Sequence, residues 1–228
     1  MDHIREHRSL LAAAERRLLV YVARRLPEWV TSDHLSLLGL LAMPAASLAF
    51  VAIPHTAWGV PALVAALGAN WFGDSLDGTL ARVRDQQRPR YGYYVDHVID
   101  IAGTVMLFAG IAASGAMTPS VALALLSAYL CVAAESYLAT HAVGVFRISF
   151  AGFGPTELRI VLAVGGAALV DHQWIEFLGS RVRLFDVGGG FAIAGLIVAF
   201  VVSAVRNAGE LYRAEPLPLR SARKERAA

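Results

Sequence analysis

Between Asp100 and Glu135 the chain has no charged residue at all. A run of that length is too apolar for the surface of a water-soluble domain and too long for one bilayer crossing, which takes about 20 residues. Ser114-Gly115 and Thr118-Pro119 divide it, because glycine and proline punctuate helices. Other charge-free runs occupy Leu35 to Ile53, Trp58 to Gly73 and Val187 to Val205. Hydrophobic residues make up 57% of the chain and charged residues 17%, against about 45–50% and 25% in soluble domains. The expected fold is therefore an all-α integral membrane protein of six transmembrane helices, preceded by an amphipathic N-terminal interfacial helix.

The arm at residues 1–33 is rich in arginine. Leu11, Ala14, Leu18, Val22 and Leu26 recur at helical spacing, so this arm is read as an amphipathic helix lying on the membrane surface. Residues 34–206 form the six-helix membrane domain, and residues 207–228 a basic tail expected to fray. Thr31, Ser32 and Asp33 are placed to cap the first span. The segment from Asp171 to Asp186 reads as a polar interfacial loop containing Trp174 and Phe177. Six crossings put eighteen of the 20 Lys and Arg residues on one side, leaving Arg181 and Arg183 on the other. That bias predicts cytoplasmic N- and C-termini in a multi-pass protein of the cell membrane. No basic-aromatic array suggests nucleic-acid binding. Cys131 is the single cysteine, which excludes an intramolecular disulfide and a cysteine-based zinc site.

Four aspartates interrupt this apolar pattern. Asp74 and Asp77 are one turn apart on the second span, and Asp96 and Asp100 are one turn apart on the third. A short basic turn joins the two helices, so both pairs face the same side of the membrane. Carboxylates crowded together resist ionisation unless a cation joins them. An all-oxygen donor set favours hard ions, Mg2+ or Mn2+. Such ions leave room for substrate phosphates, so the chemistry expected is metal-dependent work on a phosphate. Gly78 and Gly92 clear space beside the acids, and Arg82 is placed to meet a phosphate. A cation transporter is the competing class, but no acidic path continues through the other half of the bundle.

Asp74-x-x-Asp77-Gly78-x-x-Ala81-Arg82, nine residues, then Gly92-x-x-x-Asp96-x-x-x-Asp100 resembles the signature of the CDP-alcohol phosphotransferase family, at every fixed position. The resemblance implies a donor CDP-alcohol, an acceptor alcohol, one of them a lipid, and release of CMP in phospholipid synthesis. It implies Mg2+ or Mn2+ held by Asp74, Asp77 and Asp96, with Asp100 in the metal cluster as general base. It also implies a nucleotide pocket at Gly78, Ala81, Arg82 and Gly92, and a homodimer. Asp96-His97-x-x-Asp100, followed by Glu135, His141, Gly144 and Gly154-Pro155-Thr156-Glu157, partly resembles the choline/ethanolamine phosphotransferases. There His97 and Glu157 would assist the base, and a CDP-aminoalcohol would react with diacylglycerol. The other branch uses CDP-diacylglycerol and a small polar acceptor, for which Arg147 and Arg159 are candidate contacts.

Overall fold

A computed structural model of the chain describes residues 4–6, 12–143, 145–147, 155–215 and 217, with side chains from residue 15 onward outside 145–147. In chain order the elements are β1 (Ile4–Glu6), α1 (Ala12–Ala23), α2 (Ser32–Ala52), α3 (Gly59–Val83), α4 (Pro89–Ala113), α5 (Pro119–Ala142), β2 (Val145–Arg147), α6 (Pro155–Ala168), β3 (Trp174–Phe177), β4 (Ser180–Arg183) and α7 (Leu184–Ala214). A helix stands at each of the six positions expected after the arm. Four of them, α2, α4, α5 and α7, are long and apolar enough to cross a membrane. The other two, α3 and α6, differ: α3 carries Asp74, Asp77 and Arg82, and α6 has only 14 residues.

Helix α2 is the centre of the bundle and packs on both α3 and α4. Its start follows the expected chemistry: the Thr31 side chain accepts from the His34 amide at 3.3 Å, and the His34 ring accepts in return from the Thr31 amide. Such reciprocal capping satisfies helix-end amides that would otherwise lack partners. Farther along, α2 and α3 meet backbone to backbone. A Cβ added at Gly73 would lie 2.5 Å from the Leu35 carbonyl oxygen and 2.6 Å from the Gly39 nitrogen. Small residues allow this approach, and Gly73 immediately precedes Asp74. Gly73→Ala is therefore expected to destabilise the protein. Overpacking costs about 1–3 kcal/mol, and backbone cannot swing aside as a side chain would. Alanine's helix propensity returns only about 1 kcal/mol. Thermal unfolding of the detergent-purified protein measures this. Gly92→Ala is the control, because its added Cβ meets nothing within 4 Å.

The main apolar core joins α2, α3, α4 and the start of α5 through Phe50, Leu63, Leu107, Ile111 and Met117, with Leu169 after α6. A smaller core packs Leu19 and Ala23 of α1 against Leu35, Leu76 and Leu80. The stripe that α1 buries is thus turned from the expected one: Val22 and Leu26 pack inward beside Leu19, while Leu18 is exposed. The reason is that α1 rests on α3, so its inward face is chosen by a protein neighbour. Leu11 and the Ala14 side chain lie outside the described residues. Arg84, closing α3, donates to the carbonyls of Leu26 and Pro27, both at 2.9 Å, and to that of Val30, tying the linker after α1 to the turn before α4.

At the opposite end the structure departs from the sequence reading. The segment read as a polar loop contains an antiparallel hairpin, with Trp174 opposite Arg183 and Phe177 opposite Ser180. Leu178 and Gly179 both take positive φ at its tip, and Arg183 lies over the Trp174 ring. Asp186 accepts from the amide and hydroxyl of Thr118, each at 2.6 Å, and so caps α5 from the start of α7. Helix α7 also runs beyond the expected Val205 to Ala214, helped by the Arg206–Glu210 pair one turn apart. Buried Glu135 of α5 accepts from Ser203 at 2.8 Å and Asn207 at 2.7 Å of α7. Its carboxylate therefore has a structural use.

Candidate active site

The turn from Arg84 to Arg88 reverses the chain, so the aspartates lie toward the ends of α3 and α4 that meet this turn, with α2 packed on both helices. Their charges interact between the two helices. Asp100 lies within electrostatic reach of Asp74, Asp96, Asp77 and Arg159, and Asp77 within reach of Asp96 and Asp74. All four are half-buried. The site concentrates negative charge, with the Arg159 guanidinium beside it.

Each carboxylate is held differently. Asp74 Oδ2 accepts from Arg159 Nη2, and Arg159 Nε donates to Asn70 Oδ1 at 2.7 Å. Asn70, buried in α3, donates in turn to the Gly39 carbonyl at 3.0 Å. Asp77 Oδ2 accepts from the Ser36 hydroxyl at 2.6 Å, while its Oδ1 accepts from the Gly78 amide. Ser32 donates to the Asp77 carbonyl at 2.9 Å. Asp96 and Asp100 stand with His97, one ligand atom from each lying within 4.8 Å of the others. His97 is buried between Tyr93 and Tyr137, with ring centroids 4.1 Å and 4.5 Å away, and its Nδ1 lies 3.4 Å from Asp96.

The other residues singled out in the sequence fall around this cluster. The absent side chain of Gly78 faces the Arg82 guanidinium at 3.5 Å, and Arg82 donates to Thr79 at 3.0 Å. Gly92 is exposed beside open space, and Ala81 is half-buried. Glu157 occupies the first turn of α6 and is half-buried. Arg147 lies in β2, but its side chain is outside the described residues, as are Gly144 and Gly154. Sequence reasoning missed Ser36, Asn70 and the two tyrosines. A serine four residues after Ser32 on the helix preceding the acids was the available signal for Ser36. Ser36→Ala frees the Asp77 carboxylate to rotate. The expected result is roughly 10-fold weaker Mn2+ binding, the usual scale for removing a group that orients a ligand, with little change in thermal stability. Mn2+ titration followed by electron paramagnetic resonance reads it.

The donor set fits a hard divalent cation. Four carboxylates on two successive helices supply oxygen ligands, and the Asp96–His97–Asp100 group already has three ligand atoms within reach of one another. The arrangement suits chemistry on a substrate that brings its own negative charge, because such a substrate needs the cation as much as the aspartates do. Comparison with known proteins agrees. No curated protein matches the chain closely enough to be counted as a relative. The model of the CDP-alcohol phosphatidyltransferase family matches residues 29–205, which is more than half of the chain and includes all four aspartates. The chain belongs to the CDP-alcohol phosphatidyltransferase family.

Proposed function

We propose that this protein transfers a phosphoalcohol from a CDP-alcohol, of the CDP-diacylglycerol kind, to a small polar alcohol and releases CMP. Membership of a phosphotransferase family supports the reaction class. The observation that carries the reading is the convergence of Asp74 and Asp77 on α3 with Asp96 and Asp100 on α4.

In this reading Asp74, Asp77 and Asp96 hold Mg2+ or Mn2+, with Asp100 beside them. A cation held there would supply charge neutralisation and Lewis acidity toward the donor pyrophosphate. Asp100 accepts the proton of the acceptor hydroxyl. The hydroxyl oxygen forms a bond to the phosphorus bearing the donor alcohol, and the bond from that phosphorus to the bridging oxygen breaks. CMP leaves with the electron pair, and Arg82 offsets its charge. Gly78, Ala81 and Gly92 leave room for the nucleotide. Arg159 orients Asp74 and, with Arg147, meets a negatively charged acceptor. The basic-residue bias supports six crossings, with site and termini toward the cytoplasm of the cell membrane. A homodimer belongs to the same proposal.

A second reading, transfer from a CDP-aminoalcohol to diacylglycerol, is favoured by one observation. His97 is placed beside Asp96 and Asp100 and fixed between two tyrosines. There His97 or Glu157 would share the base role with Asp100. The deciding experiment measures CMP release by purified protein with Mg2+ or Mn2+, across several CDP-alcohols and acceptors. Release with CDP-diacylglycerol and a polar acceptor supports the first reading. Release only with CDP-aminoalcohol and diacylglycerol supports the second, and no release from any pair refutes both.

A further inference from the structure

Away from the four aspartates, one carboxylate gathers donors from two other helices. Oε1 of Glu15, on α1, accepts from the Trp71 indole at 2.6 Å, the Ser75 hydroxyl at 3.3 Å and the Thr156 hydroxyl at 3.0 Å. Trp71 and Ser75 belong to α3, and Ser75 directly follows Asp74. Thr156 belongs to the first turn of α6, directly before Glu157 and one turn before Arg159. Arg159 crosses the same seam from α6 to reach Asn70 and Asp74. Two polar bridges therefore join α3 and the first turn of α6, and α1 supplies one of them.

The first turn of α6 needs such a bridge. Among the described residues of that helix only Gly166 is buried, near the far end, where its missing Cβ faces Leu63. Apolar packing thus fixes the end of α6 remote from the site. The end carrying Glu157 and Arg159 is oriented by hydrogen bonds. Bonds to an ionised carboxylate are about twice as strong as neutral ones, and three donors on one oxygen define its position closely. Glu15 also lies outside residues 29–205, the part of the chain that the family match covers.

We infer that Glu15 is a positioning residue of the site, bracing the first turn of α6 against α3 so that Arg159 and Glu157 face the aspartates. The inference rests on the proposed reading only where Arg159 and Glu157 serve the acceptor. In Glu15→Ala the packing face of α1, Leu19 and Ala23 on Leu76 and Leu80, is untouched. The acceptor KM is expected to rise roughly 10-fold, the scale of a small misplacement at a reacting site, while the KM for the CDP-alcohol holds. Glu15→Gln keeps an accepting oxygen and is expected to restore most of the loss. Hydrogen–deuterium exchange on the full-length protein in detergent gives a readout independent of turnover. Amides of residues 158–162 exchange faster in Glu15→Ala and as in wild type in Glu15→Gln.

Unchanged exchange there in Glu15→Ala overturns the brace, whatever the kinetics do. Faster exchange spread equally over α1, α3 and α6, with both KM values raised together, also overturns it, because that is general loosening. Faster exchange confined to α6 with an unchanged acceptor KM keeps the brace and removes the acceptor role of Arg159 and Glu157. If the wild type releases no CMP from any donor, the proposed reaction fails and the exchange result alone decides the brace.

Discussion

Asp100→Asn is expected to bind Mn2+ and CMP close to wild-type strength yet to lose turnover by about 10²–10⁴-fold, the contribution of a positioned general base. The amide keeps the size and one oxygen of the carboxylate but cannot take a proton. Its place explains why the loss is selective. Asp100 sits one turn deeper into α4 than Asp96 and faces Asp74, Asp77 and Asp96 together with Arg159. Three other carboxylates remain to hold the cation. Isothermal titration gives the binding half and CMP release the kinetic half. Wild-type turnover in Asp100→Asn would remove it from the base role and move that role to His97, which shares its ligand group.

Asp77→Asn fails differently. Both oxygens of its carboxylate are held, Oδ2 on the Ser36 hydroxyl and Oδ1 on the Gly78 amide. An asparagine there keeps one accepting oxygen but removes the charge and turns an NH2 toward one of those donors. Loss of a ligand exceeds loss of a group that orients one, so Mn2+ affinity is expected to fall by more than about 100-fold and turnover to vanish with it. Raising Mn2+ should recover part of the activity in Asp77→Asn and none in Asp100→Asn. Equal behaviour of the two variants under a Mn2+ titration would undo the division between ligand and base.

The features legible in the sequence were those with short-range periodicity. Asp74 with Asp77 and Asp96 with Asp100 are pairs one turn apart, and the short turn at Arg84–Arg88 puts both pairs at the same end of the bundle. The Thr31 cap is likewise a local pattern. The hairpin at 174–183 escaped because its strands are four residues each and its tip is Leu178-Gly179, without the Asn-Gly or Asp-Gly pair that marks a tight turn. The end of α7 was set too early because charges after Val205 read as the end of a membrane span, whereas a helix continues into water when pairs such as Arg206–Glu210 support it. Ser36, Asn70, Glu15 and the Arg159–Asp74 pair were hidden for another reason. Each acts across 31 to 141 positions of chain, and no periodicity within a helix reports which distant helix it will meet.

The contact between Gly39 and Gly73 has a mechanical consequence. Where side chains separate two helices, rotamer changes let one slide over the other. Backbone on backbone has no such bearing, so α2 and α3 travel as a single beam, with Asp74 and Asp77 fixed to it. Any change of shape at the site must therefore come from the elements that face the beam, α4 and the first turn of α6.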